Sequence, residues 1–157
     1  MPVLIDGNNL LYAALEDDPE RPPSRSVLCL RLSQWARRTG EKVTVVFDGP
    51  VPPAGLREQT GHHPLNVIYS GTASADEVVT DIVNNDSAAR RLIVVSSDRE
   101  IAQAARHRKA RAVRSDVFWA TLCRELARPL PERKEPAEKA AGLTGSQVQH
   151  WLRELDL

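Results

Sequence analysis

The sequence predicts a three-layer α/β/α domain built on a parallel sheet of about five strands. Two patterns predict it. Short, nearly continuous apolar runs alternate with longer amphipathic segments, as happens where strands are covered by helices on both faces. Four aspartates directly follow those apolar runs, and in an open parallel sheet all the strand ends share one rim where ligands bind. The length of 157 residues suits one compact domain, and 41% hydrophobic with 27% charged residues is ordinary for a globular chain.

The first strand is "VLI", which runs straight into Asp6, Gly7, Asn8 and Asn9. That break is either a surface turn or the point where a buried strand delivers a carboxylate into a site. "SVLCLRLSQWARRTG" follows as an amphipathic helix with Gly40 as its C-cap. "KVTVVFD", "LNVIYSG", "RRLIVVSSD" and "RAVRSD" supply four more strands. "SADEVVTDIVNND", "DREIAQAARHRKA" and "DVFWATLCRELAR" supply the helices between and after them. Ser74 with Glu77, and Ser97 with Glu100, have the spacing of capping boxes, which leaves Asp98 uncommitted. The stretch 49–64, rich in proline and glycine, is a long connection of the kind that carries function or mobility. The expected organisation is a domain over residues 1–127, a polar Pro-containing linker over 128–142, and a C-terminal amphipathic helix over 143–157. In that helix Val148, Trp151, Leu152 and Leu155 form one apolar stripe.

Several functions are excluded early. With 21 Lys+Arg against 21 Asp+Glu, no global field draws the chain to nucleic acid or membrane, so charge must act locally. Cys29 and Cys123 form no CxxC, which argues against a disulfide scaffold or a zinc site. The N-terminus enters a strand at once and no run is long enough to span a bilayer, so a cytoplasmic protein without a membrane partner is expected. No GxGxxG, GxxxxGK[ST], GxSxG or HExxH is present.

The remaining chemistry is acidic. Asp6, Asp48, Asp98 and Asp116 end strands, and Asp76 begins the helix after the third strand, so all five start from one rim. Such a cluster repels itself until a cation neutralises it, and hard carboxylate oxygens suit Mg²⁺ or Mn²⁺. A divalent ion there can polarise a phosphodiester for hydrolysis. Asp6, Asp76 and Asp98 are the candidate metal ligands and catalytic residues, with Asp48 and Asp116 as helpers. The competing readings are a turn for Asp48, a helix cap for Asp116 and a dipole partner for Asp76. Asn9 can orient Asp6 or contact a phosphate, Asn8 can do the same or satisfy a turn, and Ser97 can contact a phosphate beside Asp98.

Between Arg90 and Arg114, eight Lys/Arg stand against Asp98 and Glu100. Arg99, Arg106, Arg108, Lys109, Arg111 and Arg114, with Arg57 from the long connection, are the candidate RNA-binding residues beside the acidic rim. An ordinary solvated helix face is the alternative. With Tyr12 and Tyr69 the only tyrosines, extensive base stacking is not expected.

"IDGNN" resembles the DGxN opening of NYN domains, with Asn9 as the matching asparagine. "VVFDG", "VIYSGTASADEVV" and "VVSSDREIAQAAR" follow in the order of the YacP-like branch, within the wider PIN-like nuclease fold, over roughly Pro2 to Ala127. The resemblance implies a sheet of order 3-2-1-4-5, with Asp6 and Asp98 on adjacent strands at the switch point. It also implies a Mg²⁺-dependent endoribonuclease, in a branch that includes a ribosome-associated nuclease of messenger RNA. The family's helix motif, roughly TADxxIE, carries a second acid one turn after its aspartate. Here that place holds Thr80, and Asp81 is turned about 100° around the helix. Thr80 favours a rival reading, a catalytically silent adaptor that binds RNA or the ribosome. A receiver-type signalling domain is rejected, because it needs an acid pair after the first strand and a lysine after the last.

Overall fold

A computed structural model describes residues 1–53 and 64–129, and among them five strands and five α-helices are found. The strands are β1 (Val3–Asp6), β2 (Val43–Phe47), β3 (Leu65–Tyr69), β4 (Ile93–Val95) and β5 (Arg111–Val113). The helices are α1 (Gly7–Asp17), α2 (Arg25–Thr39), α3 (Ala75–Asn85), α4 (Arg99–His107) and α5 (Ser115–Ala127), and a 3₁₀ turn, Ala89–Arg91, leads into β4. All pairings are parallel and the order is β3-β2-β1-β4-β5, as expected. Strand order reverses beside β1, so the ends of β1 and β4 lie side by side, with Ile5 opposite Val95.

Strand side chains alternate between faces, and both faces are buried. Val3, Ile5, Val45, Phe47 and Val95 pack with α1, α2 and α5 through Leu10, Leu28, Leu32, Trp35, Phe118 and Leu122. Leu4, Val46 and Val94 pack with α3 and α4 through Val79, Val83, Ile101 and Ala105. The same period of two sends Asp6, two residues after Leu4, and Asp48, two after Val46, toward the α3–α4 side. The alternation that builds the core thus also aims the carboxylates.

Most local signals appear as read. Gly40 ends α2 in the left-handed region at φ 74°, and Ser74 with Glu77 closes a capping box on α3. Two readings are corrected. The Gly-Asn-Asn sequence is no turn: α1 starts at Gly7, and Asp6 is its N-cap. A Cβ at Gly7 would lie 2.5 Å from Phe47 Cε1 and 2.8 Å from Val45 Cγ2, so only glycine lets this helix start directly over β2. Asp98 is likewise committed. It, rather than Ser97, caps α4, with Oδ1 accepting from Glu100 N–H at 2.8 Å and Ile101 N–H at 3.3 Å. The helix begins one residue later than a Ser97 cap requires.

Arg57, most of the long connection, and the residues expected to form the polar linker and the C-terminal amphipathic helix lie outside the described residues. Among the described residues no helix is long and apolar enough to cross a membrane.

Candidate active site

Asp6 lies at the C-terminal end of β1, only 2% exposed. Its Oδ1 accepts from Asn9 N–H at 3.2 Å, and the Asp76 carboxyl, in the first turn of α3, is near enough to act on it. Burial pushes Asp6 up from an ordinary 3.8 to about 7. The Asn9 N–H opposes that rise, while the hydrogen bond and charge of Asp76 and the charge of Asp48 add to it. Asp48 in turn accepts from Ala75 N–H through Oδ1 at 2.5 Å, which fixes the start of α3 against the end of β2. Three of the five rim aspartates therefore interact, with Asp6 acted on by both Asp76 and Asp48.

A polar lattice holds this edge together. Asn8 Oδ1 accepts from Asp48 N–H at 2.9 Å, tying β1 to β2. Asn9 Oδ1 accepts from Ser97 N–H at 2.8 Å and from the Ser115 hydroxyl at 2.5 Å, tying β1 to the ends of β4 and β5. Ser97 Oγ accepts from Ser115 N–H at 3.1 Å, and Ser96 Oγ accepts from Asp98 N–H at 3.1 Å. Ser97 thus spends its groups on the scaffold. Asn9 keeps its amide N–H groups unpartnered among the described residues. Sequence reasoning missed Ser115, which is fully buried. Its signal was a serine just past a strand on the functional rim. Arg25 was missed too: its Nη2 donates to the Asp48 carbonyl at 3.1 Å, and its guanidinium sits 5.0 Å above the Phe47 ring.

An open cleft of about 250 Å³ lies between the starts of α3 and α4, lined among others by Asp76, Thr80, Asp81 and Asp98. Asp76 is therefore shared, acting on Asp6 on one side and lining the cleft with Asp98 on the other. Thr80 occupies the cleft one turn after Asp76, and Asp81 lines it as well. Asp116 stands apart: its side chain is 56% exposed and paired with Arg114 at 3.1 Å, and this bond holds its carboxyl below the usual range.

The basic stretch does not form one patch beside the carboxylates. Arg99 opens α4 at the rim and Arg114 precedes α5 there, already engaged by Asp116. Arg106, Arg108, Lys109 and Arg111 sit at the end of α4 and the start of β5. The ten residue steps from the N-cap Asp98 to the C-cap Arg108, at ~1.5 Å each, carry the chain about 15 Å, to the opposite edge of the sheet.

Among the described residues no group of three or more His, Cys, Asp or Glu is already gathered to hold a metal ion. The Asp6–Asp76 pair nevertheless fits Mg²⁺ or Mn²⁺. Its donors are hard oxygens, and Mg²⁺ commonly binds through one or two carboxylates, several retained waters and substrate phosphates.

The family model described as "YacP-like NYN domain" matches residues 3–151, well past Ala127. Two crystal structures of Rae1 (YacP) from Bacillus subtilis, one of a tryptophan-to-leucine mutant, have the same fold. Each is 24% identical to this chain at a TM-score of 0.59. The mutant's match covers 80% of this chain and 79% of that one, and the other covers 80% and 77%. No curated protein matches the chain significantly.

Proposed function

Because the chain belongs to the YacP-like NYN domain family and carries an RNase-type domain, we propose that it is a metal-dependent endoribonuclease. The observation that carries this reading is a buried carboxyl, Asp6, pushed up to about 7 by burial and by the neighbouring acids Asp76 and Asp48 at the strand-order switch. Asp6 and Asp76, with Asp98 across the cleft, would hold Mg²⁺ or Mn²⁺. The ion would neutralise charge on the phosphodiester and acidify a water for in-line attack.

The rest of the work falls to side chains. Asp48 and Asn8 hold α3 so that Asp76 faces Asp6. Asn9 fixes the Asp6 carboxylate through its backbone N–H and offers its amide N–H groups to a phosphate oxygen. Arg99, exposed at the rim, takes a flanking phosphate. Ser97 and Ser115 keep Asn9 oriented rather than touching substrate. Asp116, neutralised by Arg114, takes no part in holding the cation. By the family resemblance the substrate is single-stranded or loop RNA in the cytoplasm, messenger RNA at the ribosome included.

The test is incubation of the protein with RNA and Mg²⁺, with and without chelator, beside Asp6→Asn and Asp98→Asn. Cleavage abolished by chelator and by either substitution is expected. Cleavage that resists chelator, or undiminished cutting by both variants, rejects the mechanism. The silent-adaptor reading is favoured by Thr80 in the cleft, and RNA binding without cutting of any RNA would establish it.

A further inference from the structure

A second cluster of charge lies at the edge of the sheet away from the carboxylates. The 3₁₀ turn Ala89–Arg91 enters β4 from its N-terminal side, and α4 ends at Arg108 just before β5. Between them opens a cavity of about 520 Å³ lined by Ser87, Ala88, Ala89, Arg90, Arg91 and Arg108. No carboxylate is in that lining. The nearest acid in sequence, Asp86, turns its Oδ1 to accept from Ala88 N–H at 2.7 Å.

The three guanidiniums are not equivalent. Arg108 is anchored, with Nη2 donating to the Asp86 carbonyl at 2.6 Å and Nε to the Val83 carbonyl at 3.4 Å. Carbonyls orient a guanidinium without cancelling its charge, and three of its five N–H donors stay free. Arg90 and Arg91 are exposed and have no hydrogen-bonded or ion-paired side-chain partner among the described residues. Three positive charges that share one cavity repel one another until an anion enters. Guanidinium forks match the oxygens of phosphate, and the Ser87 side chain adds a hydroxyl donor.

We propose that this cavity binds phosphates of an RNA backbone several nucleotides away from the bond that is cut. Identifying the polymer as RNA rests on the nuclease reading above. The walls favour a backbone over a free nucleotide, because the apolar lining is only Ala88 and Ala89, with no aromatic ring to hold a base. Distance favours it too. The cavity lies about 15 Å along α4 from Asp98, a span of about five stacked nucleotides at ~3.4 Å each.

The experiment measures RNA binding by the full chain in chelator, so that nothing is cut. A strand of about fifteen nucleotides and one of about three, too short to reach both edges, are compared on the wild type and on the double variant Arg90→Ala/Arg91→Ala. Both arginines are exposed, and thermal melting confirms that the variant folds. The long strand is expected to bind at least about tenfold more weakly to the variant. Its slope of log affinity against log salt should shrink by about 1.4, or 0.7 for each lost phosphate contact. The short strand, which cannot bridge both edges, should lose less affinity than the long one, and Arg90→Lys/Arg91→Lys should retain the salt slope. Unchanged affinity and slope for the long strand overturn the proposal. So does loss of inorganic phosphate binding with RNA affinity intact, which would make this a free-anion site. If the wild type cuts no RNA yet the double variant weakens long-strand binding, the nuclease reading falls and the backbone site stands.

Discussion

At the C-terminal edge of the sheet the charged groups are tied to one another, Asp6 to Asp76, with the end of β1 laced to its neighbours through Asn8 and Asn9. At the N-terminal edge Arg108 is tied to backbone carbonyls, and Arg90 and Arg91 have no side-chain partner among the described residues. Both sets of charge flank α4, yet its length separates them by about 15 Å. A parallel sheet sorts residues by strand end, so Arg90, Arg91 and Arg108 fall on the rim opposite Asp6 and Asp98 although Arg99 and Arg114 stay beside the acids. The acidic rim sets one buried carboxyl, Asp6, against the like charges of the exposed Asp48 and Asp76. The basic rim leaves its charges open to solvent, where they cost little.

The largest effect is expected where that repulsion is concentrated. Asp6→Asn removes one carboxylate of the central pair, and cleavage should fall on the order of a thousandfold, about 4 kcal/mol of transition-state stabilisation. Stability near neutral pH should hold or rise, because a buried charge is gone. A variant that loses activity only by unfolding would erase the distinction between the rims.

Nearly as large is a pH effect on the wild type in chelator. The folded state raises Asp6 from 3.8 to about 7, so it binds that proton more tightly than the unfolded chain does. This contribution to stability is fully present below about pH 4 and is lost as pH rises through 7, a change of about 4 kcal/mol. Denaturant unfolding from pH 4 to pH 8, wild type minus Asp6→Asn, isolates it. Added Mg²⁺ should restore stability at the alkaline end. A flat difference curve would mean that Asp6 ionises freely and the rim is not strained.

Asn9→Ala tests the lattice rather than the charges. It deletes the acceptor for Ser97 N–H and the buried Ser115 hydroxyl, at a cost of about 1–3 kcal/mol in unfolding free energy. Cleavage should drop further than stability alone explains, since the backbone N–H that orients Asp6 stays while the amide donors go. The same residue marks how far the sequence could be read. The sheet order came only from the family resemblance, whereas the five strands and the capped start of α3 were legible, because apolar runs and the Ser74–Glu77 capping box are local signals. Helix α1 was not, because its cap is the very aspartate that ends β1, and Gly-Asn-Asn imitates a turn. The meeting of Asp6 with Asp76 followed from strand ends and the helices after them sharing one rim, whereas the only mark of Ser115 was its place just past a strand on that rim. The basic stretch misled for the opposite reason: closeness in sequence implied one patch, and helix direction divided it.

The smallest expected effect comes from the one place in the cleft where the family's acid is absent. Thr80 stands four residues after Asp76 on α3 and lines the same cleft. Thr80→Glu places a carboxylate one turn from Asp76, and like charges at that spacing cost a helix about 0.2–0.5 kcal/mol. In chelator the variant should therefore melt slightly lower than wild type. With Mg²⁺ the sign should reverse, because the added oxygen ligand strengthens the acidic rim's hold on the ion, and half-maximal cleavage should need several-fold less Mg²⁺. Parallel melting curves and Mg²⁺ titrations of cleavage measure both. If the added acid lowers stability equally with and without Mg²⁺, the cleft beside Asp76 does not face the cation, and the ligands must be sought on the Asp6–Asp48 side of the rim.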